Sequence, residues 1–334
     1  MGQDALSEVL RAVRLTGAVF FRVEAREPWA AEAPPAAACA PHVMPGAQHV
    51  IEYHLIHRGA CWGGLVGAAP VRLEAGDIIA FPQGDAHVLS SAPGLRQVPD
   101  LALYREAAAA APLSLRLGAA GEPTACVICG FLGCDARPFN PLLEALPRML
   151  HHRAGRDGPS WMGQLASATM AEAARRRIGG EAILARLSEL LFAELVRRHV
   201  EDLPAEGRNW FAALRDPHVG RALNLLHGRA AEPWTLDALA RDVGLSRSTL
   251  AERFARLVGC PPMGYLGRWR LQLGAGLLAG GGLPVAQVAL RVGYESEEAF
   301  SRAFRRMTGV PPAAWRRASR EGRSGPLPEA RQGP

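Results

Sequence analysis

The stretch Val285-Ala286-Gln287-Val288-Ala289-Leu290-Arg291-Val292-Gly293-Tyr294-Glu295-Ser296-Glu297-Glu298-Ala299-Phe300 decides the fold of the C-terminal third of this chain. An earlier stretch repeats its plan: Leu236-Asp237-Ala238-Leu239-Ala240-Arg241-Asp242-Val243-Gly244-Leu245-Ser246-Arg247-Ser248-Thr249-Leu250. In each, a small residue (Ala240, Ala289) stands four positions before a glycine (Gly244, Gly293), and the glycines are 49 residues apart. Helices that cross closely need a small side chain. A tight turn between them needs a positive φ, which glycine adopts at little cost. The pattern predicts two helix-turn-helix units that grip neighbouring stretches of DNA groove.

Outward from the turns, Thr235, Ser246 and Ser296 are expected helix caps. Leu250, Phe254 and Leu257 then fall on one buried stripe, as do Phe300, Phe304 and Met307. The opposite faces carry Arg247, Ser248, Thr249, Ala251 and Glu252 in the first unit, and Glu297, Glu298, Ser301, Arg302 and Arg305 in the second. Pro262 to Leu278 reads as a single helix between the units, which would hold recognition helices about 34 Å apart, in successive major grooves. The competing reading of such a pattern is a plain helical bundle with capped turns.

Charge separates the two readings. Residues 1–210 carry 20 arginines against 22 acids, whereas residues 211–334 carry 18 against 10. Lysine is absent, so every one of these cations is a guanidinium, able to clamp a phosphate or a guanine edge in bidentate fashion. A basic C-terminal third behind a slightly acidic remainder is the electrostatic footprint of a DNA-binding module attached to something else.

That remainder starts with a helical period (Leu6, Val9, Leu10, Val13) and continues in short β-like runs: Val19 to Phe21, Ile51 to Ile56, Cys61-Trp62, Val71 to Leu73, Ile78 to Phe81 and Ala125 to Ile128. Gly, Pro and Asp punctuate them in the rhythm of an all-β sandwich or barrel. Residues 92–123 read as loop with a short turn of helix. A short helix is expected from Pro141, then a helical pair, Trp161 to Arg177 and Glu181 to His199, broken at Gly179-Gly180. Residues 200–210 read as a linker. Cys126, Cys129 and Cys134 are a candidate thiol or zinc constellation. Cys126 and Cys129 would point to opposite faces of a continuing strand, so plain buried cysteines are the alternative.

Residues 211–318 resemble the DNA-binding domain of AraC/XylS-type transcriptional regulators. Val292 to Ser296, Ala299 to Arg306 and Gly309-Val310-Pro311-Pro312-Ala313-Ala314-Trp315-Arg316 carry the resemblance, together with Leu245 to Leu250 and Phe254. It implies base-facing positions at Ser248, Ala251 and Glu252, and at Glu297, Glu298, Ser301 and Arg302. Arg247, Arg253, Arg302 and Arg305 are candidate phosphate clamps. Ala251 offers only apolar contact and Glu252 repels phosphate, so the target sequence is not readable from the module.

Upstream, Gly76-Asp77-Ile78-Ile79-Ala80-Phe81-Pro82-Gln83-Gly84-Asp85-Ala86-His87 resembles the second motif of cupin β-barrels. The first motif would fall around His54-Leu55-Ile56-His57-Arg58-Gly59, where the spacing is not His-x-His and no Glu follows at the usual distance. His54, His57 and His87 are therefore candidates for an effector or metal site, against the alternative of ordinary hydrogen-bonded barrel histidines.

The expected fold class is α+β multidomain: a cupin-like β-barrel sensor domain at 1–150, a helical dimerisation segment and linker at 151–210, an all-α AraC-type domain with two helix-turn-helix units at 211–318, and a disordered tail at 319–334. The helices between 160 and 199 would mediate a homodimer or pack on their own barrel. The expected partners are promoter or operator double-stranded DNA, an unknown small-molecule effector or redox signal, and RNA polymerase as a further candidate. No run of 18 apolar residues is present, which argues against a membrane span, and the start Met1-Gly2-Gln3-Asp4 lacks secretory features, so a cytoplasmic location is expected. The chain is not expected to be an enzyme. The competing classes are a metal-dependent cupin enzyme joined to a DNA-binding module, and a nucleoid-type binder without sequence choice.

Overall fold

The structure, a computed structural model, describes residues 4–109, 113–154, 161–175, 177–204 and 207–320. The tail expected from 319 lies, beyond residue 320, outside the described residues. In chain order the N-terminal elements are α1 (Ala5–Ala12), β1 (Thr16–Ala25), β2 (Ala30–Ala33), α2 (Ala36–Val43), β3 (His49–Arg58), β4 (Ala60–Leu65), β5 (Val71–Glu74), β6 (Ile78–Phe81), β7 (His87–Ser90), α3 (Leu101–Ala109), β8 (Leu113–Leu117), β9 (Ala125–Cys134), α4 (Pro141–Ala145) and β10 (Leu150–His152). Helices follow: α5 (Trp161–Ala173), α6 (Gly180–Asp202), α7 (Trp210–Arg215), α8 (Val219–Gly228), α9 (Leu236–Val243), α10 (Arg247–Val258), α11 (Pro262–Ala279), α12 (Val285–Arg291), α13 (Glu297–Thr308) and α14 (Pro312–Arg320). No helix among the described residues is long and apolar enough to cross a membrane.

The chain divides into two compact units. The β unit comprises Leu15–Cys134 and Leu146–Glu201. Its strands form a six-stranded sheet, ordered β10-β6-β3-β9-β1-β8, and a four-stranded sheet, ordered β2-β7-β4-β5. The expected cupin-like barrel is not closed: among the described residues β8 pairs only with β1 and the three-residue β10 only with β6, so the large sheet ends in two edges. Alternation on β3 turns Val50, Glu52, His54 and Ile56 to one face and Ile51, Tyr53 and Leu55 to the other. The first face joins a buried core with Phe21, Val127 and Phe131 of the same sheet and Cys61, Leu73 and Leu89 of the small sheet. Helices α5 and α6 cover the other face. There Tyr53 Oη lies 2.6 Å from Ser188 Oγ, and a Cβ added at Gly17 would lie 2.4 Å from the Ala185 carbonyl oxygen. Helices 160–199 thus pack on their own sheet, while Ile183 and Leu190 of α6 stay half exposed. The stretch 92–123, expected as loop with a short turn of helix, holds the helix α3 and, beyond that expectation, the strand β8. The sequence Leu113-Ser114-Leu115-Arg116-Leu117 alternates at strand period, and Leu115 and Leu117 pack against the core.

The helical unit comprises Met1–Arg14, Asp135–Ala145 and Asp202–Pro334. Two segments distant in sequence thus join α7–α14. The Ala5 amide donates to Asn224 Oδ1 (2.8 Å), Arg14 forks onto Asp135 (2.6 and 3.0 Å), and the Phe139 amide donates to the buried Gln272 of α11 (2.9 Å). Helix α11 is the spine. Its Tyr265 hydroxyl receives the Trp210 indole N–H (2.8 Å) and lies 2.7 Å from His227 Nε2. Phe254, Phe300 and Phe304 are fully buried, each worth about 1.5–3 kcal/mol of hydrophobic stabilisation.

Candidate nucleic-acid interface and effector pocket

The three expected caps are made. Thr235 Oγ1 accepts from the Ala238 amide (3.1 Å), Ser246 Oγ from Thr249 (3.2 Å) and Ser296 Oγ from Ala299 (3.1 Å). Gly244 and Gly293 take φ of 75° and 86°, and the amide after each closes on the carbonyl of the small residue (Leu245 on Ala240, Tyr294 on Ala289; both 2.9 Å). Pairs α9–α10 and α12–α13 are therefore helix-turn-helix units whose second helices start from a fixed point. Leu250 and Phe254, and Phe300 and Phe304, anchor the inner faces, with Leu257 and Met307 partly buried.

On α10, Arg247, Ser248, Thr249 and Glu252 are exposed and Ala251 is half-buried. The hydroxyls of Ser248 and Thr249 lie 3.2 and 2.8 Å from Ser246 Oγ, so they also belong to the cap. Arg247 is exposed, with Asp237 3.8 Å away. Arg253 differs: its guanidinium grips Asp216 through Nε (2.8 Å) and Nη2 (2.6 Å). Asp216 also accepts from the Val219 and His218 amides at the start of α8. Burial pushes that carboxyl up, but the Val219 amide and the Arg253 guanidinium outweigh it and hold it below the ordinary carboxylate value. On α13, Glu297, Glu298, Arg302 and Arg305 are exposed and Ser301 is half-buried; Arg302 lies 3.9 Å from Glu298.

The β unit holds a pocket of about 820 Å³, open mouth included, between the two sheets and α3. Its wall is apolar (Phe21, Val23, Leu89, Leu115, Leu117 and Phe131), and Glu52, His54 and His87 are its buried polar groups. His54 Nε2 lies 2.7 Å from His87 Nε2, and Glu52 Oε2 lies 3.7 Å from the latter. Burial pushes the Glu52 carboxyl up to about 8 and the His87 imidazole down to about 4; it also drives His54 well below the ordinary value. The three ligand atoms lie within 4.8 Å of one another.

The expected grouping of His54, His57 and His87 is thus corrected. His57 is odd in the alternation of β3, so it points to the other face, where its Nδ1 meets Met170 Sδ at 2.9 Å. Glu52, two residues before His54 and on the same face, takes its place. The signal was present as a Glu-x-His pair at strand period. The cysteine constellation is not brought together either. Cys129 faces the pocket and Cys126 the opposite side of β9, while Cys126 and Cys134 stand about 26 Å apart at strand rise. Burial pushes the thiols of Cys126 and Cys129 up, which disfavours the reactive thiolate.

Residues 4–201 match the cupin family and residues 239–318 the helix-turn-helix domain family. The regulator AlkR of Acinetobacter baylyi is 29% identical over 95% of this chain and all of its own length. An AraC-like transcription regulator of Streptomyces lividans is 32% identical over 81% of this chain and 88% of its own. Among solved structures, the DNA-binding domain of the global transcriptional factor AdpA, in complex with a target DNA, is 32% identical, with a TM-score of 0.31, over 33% of this chain and 99% of that one. Both full-length relatives are transcriptional regulators. The chain belongs to the AraC/XylS family of DNA-binding transcriptional regulators, with a cupin domain ahead of its helix-turn-helix domain.

Proposed function

We propose that this chain binds promoter or operator DNA by sequence, through α10 and α13, under the control of a small effector held in the pocket of the cupin domain. The observation that carries the reading is the pair of capped helix-turn-helix units with polar outer faces. Ser248, Ala251, Glu252, Glu297, Glu298, Ser301 and Arg302 face bases; the exposed Arg247 and Arg305 clamp phosphate, with Thr249 beside them, Arg247 exchanging its loose 3.8 Å pairing with Asp237 for the phosphate. Arg253, already bound to Asp216, holds α10 against the start of α8 instead.

The apolar wall, with Glu52, His54 and His87 as its buried polar groups and Glu32 and the exposed Gln97 and Asp100 also lining it, fits an effector with an apolar body and a polar end. To act as a switch, the effector must bind two states of the chain unequally. Half-exposed Ile183 and Leu190 on α6 supply an apolar stripe for a homodimer, and RNA polymerase is a further partner at promoters. The functional domains are then 1–150 for sensing, 151–210 for dimerisation, and 211–318 for DNA, in a cytoplasmic protein. Raised thiol pKa values favour a small molecule over a redox signal. Selection of bound DNA from a random pool tests the reading: an enriched motif is expected, and binding without enrichment would make the chain a sequence-blind binder.

A further inference from the structure

Among the described residues, the pocket of the β unit is lined by three carboxylates and by no arginine, and the chain contains no lysine. Two of the acids are engaged: Arg96 forks Glu32 (2.5 and 2.6 Å), and Asp100 accepts from the Ala102 amide (2.8 Å). Glu52 differs, because it is buried with almost nothing to hold its charge. Its Oε1 lies 3.3 Å from the Cys39 thiol, a weak donor that also stands 3.4 Å from the Ala36 carbonyl. Its Oε2 faces His87 Nε2 at 3.7 Å, beyond hydrogen-bond reach. That nitrogen is already taken. The Asp85 carbonyl, 2.9 Å from His87 Nδ1, can only accept, so Nδ1 carries the hydrogen of the neutral ring and Nε2 is its acceptor. His54 Nε2, 2.7 Å away, must then donate to it. This leaves His54 Nδ1 a bare acceptor, buried without a hydrogen-bond partner among the described residues. Protonating Glu52 does not cure the defect, since an O–H at Oε2 has no free acceptor at His87. Glu52, His54 and His87 thus offer two unmet acceptors and no spare donor, and an unmet buried acceptor is costly. The buried Trp29 indole N–H on the wall is also unpartnered, but it is neutral.

Aromatic rings stand beside the carboxylate. Phe131 is the register partner of Glu52 on the neighbouring strand β9, so the two side chains share a face. Phe21 and Tyr104 pack edge-on against Phe131, with ring centroids 5.7 and 6.2 Å away. The faces of such rings carry negative potential and attract cations. We propose that this pocket takes an apolar amine, its ammonium group seated at Glu52 beside the aromatic cluster and its hydrocarbon body along the apolar wall. An ammonium brings three donors, enough for Glu52 Oε2 and His54 Nδ1, and the positive charge that the pocket lacks. A hydroxyl brings one donor. A carboxylate brings none and would meet the two acceptors head on. Control of DNA binding by the amine rests on the pocket being the effector site; the seat at Glu52 does not.

The test uses the full-length chain and three probes with one common body: 4-phenylbutylamine, 4-phenylbutanol and 4-phenylbutanoate, each titrated by calorimetry near neutral pH. About one amine per chain is expected, bound about tenfold more tightly than the alcohol, because charge-assisted hydrogen bonds are roughly twice as strong as neutral ones. The carboxylate should not bind at up to about 1 mM. In Glu52→Gln the amine should weaken at least about tenfold and fall level with the alcohol, whose own affinity changes little. His57→Ala, whose ring lies on the other face of β3, should keep the wild-type order of probes. Circular dichroism checks that each variant folds, and the order of the three probes on the wild type needs no variant. Absence of amine binding, equal affinities for amine and alcohol in the wild type, a carboxylate bound as tightly as the amine, or an amine preference that survives in folded Glu52→Gln overturns the proposal. The same probes then enter the DNA selection. Amine binding without an enriched motif, or without any change in DNA affinity, sinks the regulator reading alone. An enriched motif whose affinity responds to the alcohol or the carboxylate but not to the amine sinks the amine assignment alone.

Discussion

The two turn glycines occupy equivalent places in the duplicated units, yet alanine should be far more costly at one than at the other. At Gly244, φ is 75° and nothing lies within 4 Å of an added Cβ. Gly244→Ala therefore carries only the cost of a left-handed L-residue, about 1–2 kcal/mol. At Gly293, φ is 86° and the added methyl would sit 2.7 Å from the Ala231 carbonyl oxygen, 2.8 Å from its Cα and 2.9 Å from Arg270 Cζ. Those neighbours cannot yield independently, because Arg270 donates to the Ala230 and Glu232 carbonyls (2.7 and 2.6 Å) and so fixes the same turn. Overpacking adds about 1–3 kcal/mol, and loosening either charge-assisted bond about 1.5–3 more. Gly293→Ala should thus exceed Gly244→Ala by at least about 2 kcal/mol, roughly thirtyfold in the local opening equilibrium. A chain of two units need not unfold in one step, so native-state hydrogen exchange on peptides from each helix-turn-helix is the suitable assay. Equal losses of protection at the two sites would refute the argument, since they would mean that only φ matters.

Three further outcomes follow from the same unit. Replacing Arg302 by Ala should relax preference at a single base, at about 1–3 kcal/mol if it reads a guanine, whereas Arg305→Ala should weaken all sequences alike and lower the log–log salt slope by roughly 0.9; selection and salt titration of both variants separate these roles. Ser296→Ala removes the acceptor for the Ala299 amide and should cost about 1 kcal/mol of protection in α13, with α10 unchanged as the internal control. Burial holds His227 down at about 3 against an ordinary 6.5, so the unfolded chain binds more protons between these values. Its contribution to stability is intact above pH 6.5 and falls as pH drops, by about 2 kcal/mol at pH 5; His227→Gln should show a shallower decline in exchange protection over that range, and an unchanged slope would count against the assignment.

What the sequence made legible was local. Caps at Thr235, Ser246 and Ser296 and turns at Gly244 and Gly293 are set by residues within a few positions of one another, and all five are as expected. The Cys126–Cys129 parity was equally local: Cys129 faces the pocket and Cys126 the other side of β9. The misses came from contacts between distant residues. Glu52 meets His87 only because β3 and β7 approach in the folded β unit, and Cys39 reaches Glu52 from α2, a helix masked by alanines and by Pro41 within it. Joining α1 and Asp135–Ala145 to the helical unit rests on bonds between partners 219 and 133 residues apart, for which no sequence period exists. Strand rhythm left a sandwich and a barrel both open, and the barrel came with the cupin resemblance; rhythm reports how many strands there are and not whether the edge strands find each other.

The two proposed reading helices differ in a way that bears on how each would meet DNA. The first turn of α10 holds no acid, so its N-terminal amides and Arg247 present positive charge to a phosphate. The first turn of α13 holds Glu297 and Glu298; of its three arginines, Arg302 stands in the middle, 3.9 Å from Glu298, and Arg305 and Arg306 stand in the last turn. Two carboxylates outweigh the roughly +0.5 charge of a helix N-terminus, so this end repels phosphate and suits base donors such as the cytosine amine. The same carboxylates stabilise the helix by about 0.3–1 kcal/mol each. Replacing both with Gln should therefore move two observables in opposite directions. Exchange protection in α13 should fall by about 0.6–2 kcal/mol, while affinity for random DNA at low salt should rise several-fold, with the gain fading as salt screens it. Loss of affinity for random DNA in a Glu297→Gln, Glu298→Gln variant that remains folded would show that these acids do not face the duplex, and would move the second contact to the C-terminal arginines of α13.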